Sequence, residues 1–388
     1  MIHAATPSTA CDNLTDKMLA IPFTRTRPID QAHDAAAHFL SLCLLVLVLG
    51  ATPARAQQAQ WEALNQQLAE LYGKGRYQEA LPVAERALSI AEQTFGATHF
   101  NVAGSLNNLA EIYRMLDRMD EAEPLYQRAM RVAERSMGNE NTLLAATLNN
   151  LGELYRTRKD YPAAEPLYRR SIQIREKTLG AESADLAQAL NNLALLHAEQ
   201  NKWEEAEPLY QRALAIYKKS YGEQSALVGA TSGNLAELYR HQGKLKEAEP
   251  LYAAALAITE KLNGAQHSNT AALRNNLALL YSAQKKYKEA ERIFQQALVI
   301  QEKAYGRDGS TVGTTLMNMA SMYDDMGELS KAETAWTRVL GIAEKVYGKN
   351  HSALSTPLNA LADIYKKQNK TPQAEEMAAR VASLSAQK

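Results

Sequence analysis

Six asparagines recur at one 42-residue step: Asn108, Asn150, Asn192, Asn234, Asn276 and Asn318, each immediately before an apolar residue of a helical stripe. A carboxamide carries both a donor and an acceptor, so such a column can satisfy the peptide units of an extended chain from the side, reading backbone rather than sequence. The same amides can instead tie adjacent repeats together. Beside them, Glu111 with Arg114, Glu153 with Arg156 and Glu237 with Arg240 stand three apart. That is the spacing of a helical ion pair worth about 0.3 kcal/mol when solvated, and the arginines are also candidate contacts for a ligand's side chains. In two other repeats these positions hold Leu195 with Ala198 and Leu279 with Ser282. Exposed leucines on a polar wall suggest pockets for apolar anchors. The pattern then turns acidic at Asp324 and Asp325 and basic at Lys366 and Lys367.

No pattern that carries catalysis accompanies these columns. The chain has no Gly-rich phosphate loop, no G-x-S-x-G, no H-E-x-x-H and no carboxylate pair outside the repeating positions. His99, His267 and His351 differ by multiples of 42, so they fill one loop slot in different repeats, where capping is expected and a shared metal is not. His197 stands where other repeats have tyrosine and is expected to be buried and hydrogen-bonded. Met317, Met319, Met322 and Met326 offer soft sulfur, but Met319 and Met322 fall in core slots. Most of the 18 tyrosines are column residues and therefore core, not a base-stacking platform. The chain is expected to be no enzyme and to need no cofactor or metal.

The elements that position these columns follow from the same period. Gly96, Gly138, Gly180, Gly222, Gly264, Gly306 and Gly348 stand 42 apart and are expected to supply left-handed helix caps. Leu109, Leu151, Leu193, Leu235, Leu277, Met319 and Leu361 fill one apolar slot, and Tyr113, Tyr155, His197, Tyr239, Tyr281, Tyr323 and Tyr365 the slot one turn later, which makes an amphipathic helix A. After a break such as Arg158-Lys159-Asp160, a second stripe begins with Ala122, Leu125, Tyr126 and their copies. Its alanine column, Ala80 to Ala374, lets two helices of a hairpin approach to about 8–10 Å. Asn141, Ser183, Ser225, His267, Gly309 and His351 precede each new helix A, most of them good N-caps. Pro82, Pro124, Pro166, Pro208 and Pro250 mark helix B, where a proline is expected within the first turn. No unit buries its apolar face alone, so stacking is obligatory.

The run Leu148-Asn149-Asn150-Leu151-Gly152-Glu153-Leu154-Tyr155, followed by Tyr161 and Ala163-Ala164-Glu165-Pro166-Leu167-Tyr168, resembles the tetratricopeptide repeat in the long form of kinesin light chains. The resemblance implies an all-α, right-handed superhelical solenoid of about eight helix-turn-helix hairpins, with repeats near 61–98, 99–140, 141–182, 183–224, 225–266, 267–308, 309–350 and 351–388. It also implies that the asparagine column lines a concave groove. In kinesin light chains and O-linked N-acetylglucosamine transferase, a similar array grips the backbone of an extended peptide.

Residues 1–56 stand outside the array and read as an export signal: Arg25 and Arg27, then the uncharged apolar run Phe39 to Gly50, then Ala54-Arg55-Ala56 as a cleavage site. Met18 is an alternative start, and Leu42 disfavours a lipid anchor on Cys43. Residues 57–60 are expected to be a short linker and 61–388 the array. The formal net charge is zero and stays so without residues 1–56, so there is no electrostatic footprint for nucleic acid or anionic lipid. Both cysteines, Cys11 and Cys43, leave with the signal, and no membrane span remains. The expected protein is a periplasmic or secreted scaffold, monomeric without its partner, that binds a protein or peptide segment. The alternative is a self-associating component of a cell-envelope assembly.

Overall fold

The computed structural model describes residues 53–385. Their regular structure is helical, with sixteen α-helices paired as eight hairpins. These are α1 (Pro53–Gly73) with α2 (Tyr77–Phe95), α3 (Phe100–Met115) with α4 (Met119–Met137), α5 (Thr142–Thr157) with α6 (Tyr161–Leu179), and α7 (Ala184–Glu199) with α8 (Trp203–Tyr221). They continue as α9 (Ala226–His241) with α10 (Leu245–Asn263), α11 (Ser268–Ala283) with α12 (Tyr287–Tyr305), α13 (Ser310–Asp325) with α14 (Leu329–Tyr347), and α15 (Ser355–Lys367) with α16 (Thr371–Ser385). The chain divides within α8 into two compact units, one ending at Ile216 and one starting at Tyr217. No helix among the described residues is long and apolar enough to cross a membrane.

The columns read from the sequence are the core of both units. Ala80, Ala122, Ala164 and Ala206 in the first unit, and Ala248, Ala290 and Ala332 in the second, are fully buried. The leucine slot is buried in every hairpin, from Leu68 through Leu193 to Leu361. In the first unit, clusters form around Leu106 and Leu148, around Leu109 and Ile112, around Tyr126 and Leu151, and around Tyr168 and Leu193. In the second, one cluster runs from Ala236 to Leu384.

The caps hold as expected, with histidine serving as well as serine. The Asn141 side chain accepts from Leu144 N at 2.7 Å, Ser183 from Asp185 N at 3.2 Å and Ser225 from Val228 N at 3.3 Å. His99, His267 and His351 use Nδ1 in the same way, accepting from Asn101 N, Asn269 N and Ala353 N. In the eighth hairpin a 3₁₀ turn, Ser352–Leu354, precedes α15. Pro357 lacks the N–H that would bond the Ala353 carbonyl in a regular first turn.

Three details differ from the sequence reading. The glycines between hairpins have positive φ, but Gly180 at φ 84°, ψ 167° is extended rather than left-handed helical, a region open almost only to glycine. Its N–H still closes the last turn on Glu176 O at 3.1 Å. The left-handed caps lie inside the hairpins instead, at Asp117, Lys159, Asn201, Lys285 and Asn369 with φ between 58° and 62°, and at Gly75, Gly243 and Gly327. The following N–H reaches back five residues, as from Asp160 to Tyr155 O at 2.8 Å, which is a Schellman closure. Second, the prolines are not in the first turn. Pro166 is the sixth residue of α6, and the helix passes through it without that one N–H. Third, residues 57–60 are part of α1 rather than a linker. The export segment up to residue 52 lies outside the described residues, and the expected cleavage point after Ala56 falls in the first turn of α1.

Lys159→Gly tests the turn assignment. A left-handed side-chain residue costs about 1–2 kcal/mol and glycine gives back part of that in chain entropy, so a gain of about 0.5–1 kcal/mol is expected in urea unfolding. A loss of stability would show that the φ of 62° at Lys159 stores no strain.

Candidate functional site

The asparagine column does not stand alone. A second asparagine precedes it in most repeats, and the two form rungs between hairpins. Nδ2 of Asn108 donates to Asn65 Oδ1 at 3.5 Å, Asn150 to Asn107 at 3.2 Å and Asn192 to Asn149 at 3.1 Å. In the second unit Asn318 donates to Asn275 at 3.2 Å. Helix A thus reads Asn-Asn because the second residue donates back one hairpin and the first accepts from one hairpin ahead. The sequence reading missed this second column, although Asn149-Asn150 displays it. Each rung uses one amide hydrogen and leaves the donating carboxamide a second hydrogen and its carbonyl. Asn108, Asn150, Asn192, Asn234 and Asn276 are half-buried, and Asn318 is 8% exposed.

The Glu–Arg pairs are more enclosed than a solvated pair. The Arg114 and Glu111 side chains are 18% and 16% exposed, and Glu111 also accepts from Tyr126 Oη at 2.6 Å and Tyr72 Oη at 2.9 Å. The set repeats: Glu153 accepts from Tyr168 Oη at 2.8 Å and from Arg156 at 2.5 and 3.0 Å, and Glu237 accepts from Tyr252 and Arg240. The buried aromatic column of helix B therefore ends on a carboxylate that the arginine neutralises. Burial alone would raise the Glu111 and Glu237 carboxyls, but Arg114 with Tyr126 and Tyr72 at the first, and His241, Arg240 and Tyr252 at the second, hold both below the usual range. Burial of Tyr126 and Tyr168, with the neighbouring carboxylate, drives their phenols well up, so they remain donors.

Replacement of the glutamate is matched in the aromatic column at one of the two leucines, since Leu195 still coincides with Tyr210. Leu279 coincides with Phe294, which has no hydroxyl to satisfy. Leu195 and Leu279 are both half-buried, and Leu279 packs on the core of its unit. Arg156 also pairs with Glu199 of the next hairpin, so one guanidinium serves two carboxylates. Burial raises the Glu199 carboxyl, with Arg156 opposing it. The same inter-hairpin slot carries reversed charge in the second unit, where Lys367 Nζ donates to Asp324 at 2.6 Å. Asp324, Asp325, Asp363, Lys366 and Lys367 border an open cleft of about 560 Å³ over Trp336.

His197 is buried at 3% exposure, but its Nδ1 has no hydrogen-bond partner among the described residues, unlike the hydrogen-bonded histidine expected. Its column mates donate Oη to helix B, as Tyr155 does to Glu123 at 2.8 Å. Burial lowers the His197 pKa from 6.5, Glu165 opposes this, and Arg169, Lys202 and Glu205 complete its charged surroundings. A histidine with a depressed folded pKa contributes stability above its unfolded value and loses it as pH falls. Acidification from about pH 7 to 5 is therefore expected to lower the melting temperature of the wild type more than that of His197→Tyr. Parallel melting curves would show that His197 does not couple to folding.

Among the described residues no group of His, Cys, Asp or Glu is placed to hold a metal ion. What the geometry defines is an all-α hairpin-repeat protein with a polar, amide-lined face on each helix A. The sequence matches the tetratricopeptide repeat family over residues 62–135, 101–177, 143–219, 227–303 and 311–387, and the chain belongs to that family. Its similarity to the crystal structure of BtubC (BKLC) from P. vanneervenii is 25% identity over 63% of this chain and 93% of that one, with a TM-score of 0.50. The apo quorum sensor NprR from B. thuringiensis shares the fold at 12% identity, TM-score 0.64, over 89% and 92% of the two chains. A signal transduction ATPase with a tetratricopeptide repeat sensor from Pyrococcus horikoshii shares it at 15% identity and TM-score 0.60, over 90% of this chain and 53% of that one. No curated protein matches the sequence.

Proposed function

We propose that this protein is a non-enzymatic interaction scaffold that binds an extended segment of a partner protein along the helix-A faces. The observation that carries the reading is the asparagine ladder: a regular row of carboxamides, each spending one hydrogen on its neighbour and keeping a donor and an acceptor for a peptide backbone. The varied positions beside it, Arg114, Arg156, Leu195, Arg240 and Leu279, choose side chains. Membership of the tetratricopeptide repeat family supports a protein or peptide partner. Leu195→Lys with Leu279→Lys is expected to cut partner recovery in a quantitative pull-down at least about tenfold while the circular dichroism stays unchanged. Undiminished recovery would place binding elsewhere.

A second reading, docking or self-association through the loop edge, is favoured by exposed apolar residues at the ends of the B helices: Met137 and Leu179 in the first unit, Tyr305 and Tyr347 in the second. Light scattering across a concentration series separates it from the first reading, in which the protein is monomeric without its partner. The reading includes export, resting on Ala54-Arg55-Ala56. Intact mass is expected to place the mature N-terminus at Gln57, and retention of residues 39–50 would instead mean a membrane-anchored protein.

A further inference from the structure

The charged rungs between hairpins change character in the second unit. Arg156 of the third hairpin pairs with Glu199, 43 residues on, and the same register joins Asp324 to Lys367 at 2.6 Å. The rung one hairpin before that one falls on Ser282 and Asp325. Asp325 keeps the acidic half, in the place of Glu199, while serine replaces the arginine. Asp325 is exposed and has neither an ion pair nor a hydrogen bond among the described residues.

A second group beside it lacks its counterpart. Trp336 of α14 fills the aromatic slot of Tyr126 and Tyr168, whose hydroxyls end on Glu111 and Glu153. In the seventh hairpin the glutamate position holds Ser321, whose hydroxyl donates to Met317 O at 3.1 Å instead. Ser321 and Asp324 are shorter than the glutamate and arginine of the other hairpins, and the room they leave is the cleft of about 560 Å³ that Trp336 floors. Trp336 is 5% exposed, and its indole N–H has no acceptor among the described residues, unlike that of Trp61, which donates to Ser105 Oγ at 2.9 Å. That nitrogen is not among the buried polar atoms sealed without a partner, so it opens on the cleft.

The charge balance selects what can enter. Asp324, Asp325 and Asp363 on the rim outnumber Lys366 and Lys367 by one carboxylate. Asp324 is committed to Lys367, and Lys366 meets Asp363 at 3.5 Å, which leaves Asp325 as the unmatched charge. An entering anion would be repelled by Asp325, whereas a cation would be matched by it. The group that Glu199 meets at this register is a guanidinium, whose planar fork of donors suits a carboxylate better than an ammonium does.

Resting on the scaffold reading, we propose that the cleft over Trp336 is a recognition site for an arginine side chain of the partner: the guanidinium pairs with Asp325, and an uncharged oxygen of the ligand accepts from the Trp336 indole N–H. The indole resonance of Trp336 in the ¹⁵N spectrum of the full chain, assigned by its loss in Trp336→Phe, reports binding at the floor of the cleft. The probes are the blocked tripeptide acetyl-Gly-Arg-Gly-amide, its citrulline analogue, which keeps the shape without the charge, and its glutamate analogue. The arginine peptide is expected to shift this resonance saturably and to bind at least about tenfold more tightly than the citrulline peptide. Asp325→Asn is expected to abolish that margin and, because Asp325 has no internal partner, to melt as the wild type does. Equal affinity of the arginine and citrulline peptides, a margin that survives Asp325→Asn, tighter binding of the glutamate peptide, or no shift by the arginine peptide at about 10 mM would each overturn the inference. Such a failure, with partner recovery still dependent on Leu195 and Leu279, leaves the scaffold reading standing. Recovery independent of both leucines counts against the scaffold reading itself.

Discussion

Leu193→Ala is expected to remove about 2–5 kcal/mol of stability, the range for emptying a buried leucine site. Leu193 is 2% exposed and packs with Ala164, Tyr168 and Leu196, so the lost side chain lies where one hairpin meets the next. Repeats couple mainly to their neighbours, and the damage therefore stays local: the unfolding transition broadens or splits instead of shifting as a unit. Denaturant unfolding followed by far-ultraviolet circular dichroism reads both effects. A change below about 0.5 kcal/mol, typical of surface substitutions, would mean that the leucine column is not the seam between hairpins.

Arg156→Met is expected to be the costliest change on the polar face. It keeps an unbranched apolar stem but leaves Glu153 and Glu199 without the guanidinium they share, and the three side chains are 15%, 23% and 20% exposed. Breaking a fully buried pair costs about 3–5 kcal/mol; this partial exposure brings the expectation to about 1–3 kcal/mol. The sign of the pH dependence identifies the cause. Glu199 already sits above the ordinary carboxyl range through burial, so the fold binds its proton more readily than the unfolded chain does. The stability linked to that proton is present at acid pH and is lost as pH rises through the folded pKa. Removing Arg156 raises the Glu199 carboxyl further. The deficit of Arg156→Met is thus expected to be larger near pH 7 than near pH 5. A deficit independent of pH would assign the loss to packing of the arginine stem.

The parts of this fold legible in the sequence are those fixed by side-chain size and period. The alanine column had to be small for the helices to cross, the leucine column had to be apolar, and the residue after most glycine loops, Gly309 excepted, accepts a hydrogen bond; all three stand where the sequence puts them. The left-handed turn was hidden because Lys159 and Asp117 do not announce positive φ as glycine does. The start of helix B was misjudged because Pro166 invites a first-turn reading, whereas the αL residue at 159 lets the helix begin at Tyr161. The polar face was only half legible. Glu153 and Arg156 three apart spell a local pair, but Tyr168 and Glu199 reach them from other helices, and no local spacing encodes that. Likewise the asparagines read as a column, and only the fold shows that most of them bond across hairpins.

Site-specific photocrosslinking tests the central claim most directly. A photoreactive amino acid at Leu195 or Leu279, on the helix-A faces, and at Leu179 or Tyr347, on the exposed loop edge, compares the two candidate surfaces in one experiment with the partner present. The scaffold reading predicts covalent capture of an extended partner segment from position 195 in the first unit or 279 in the second, with little from 179 and 347. Capture from 179 and 347 alone would contradict it and move the binding surface to the ends of the B helices.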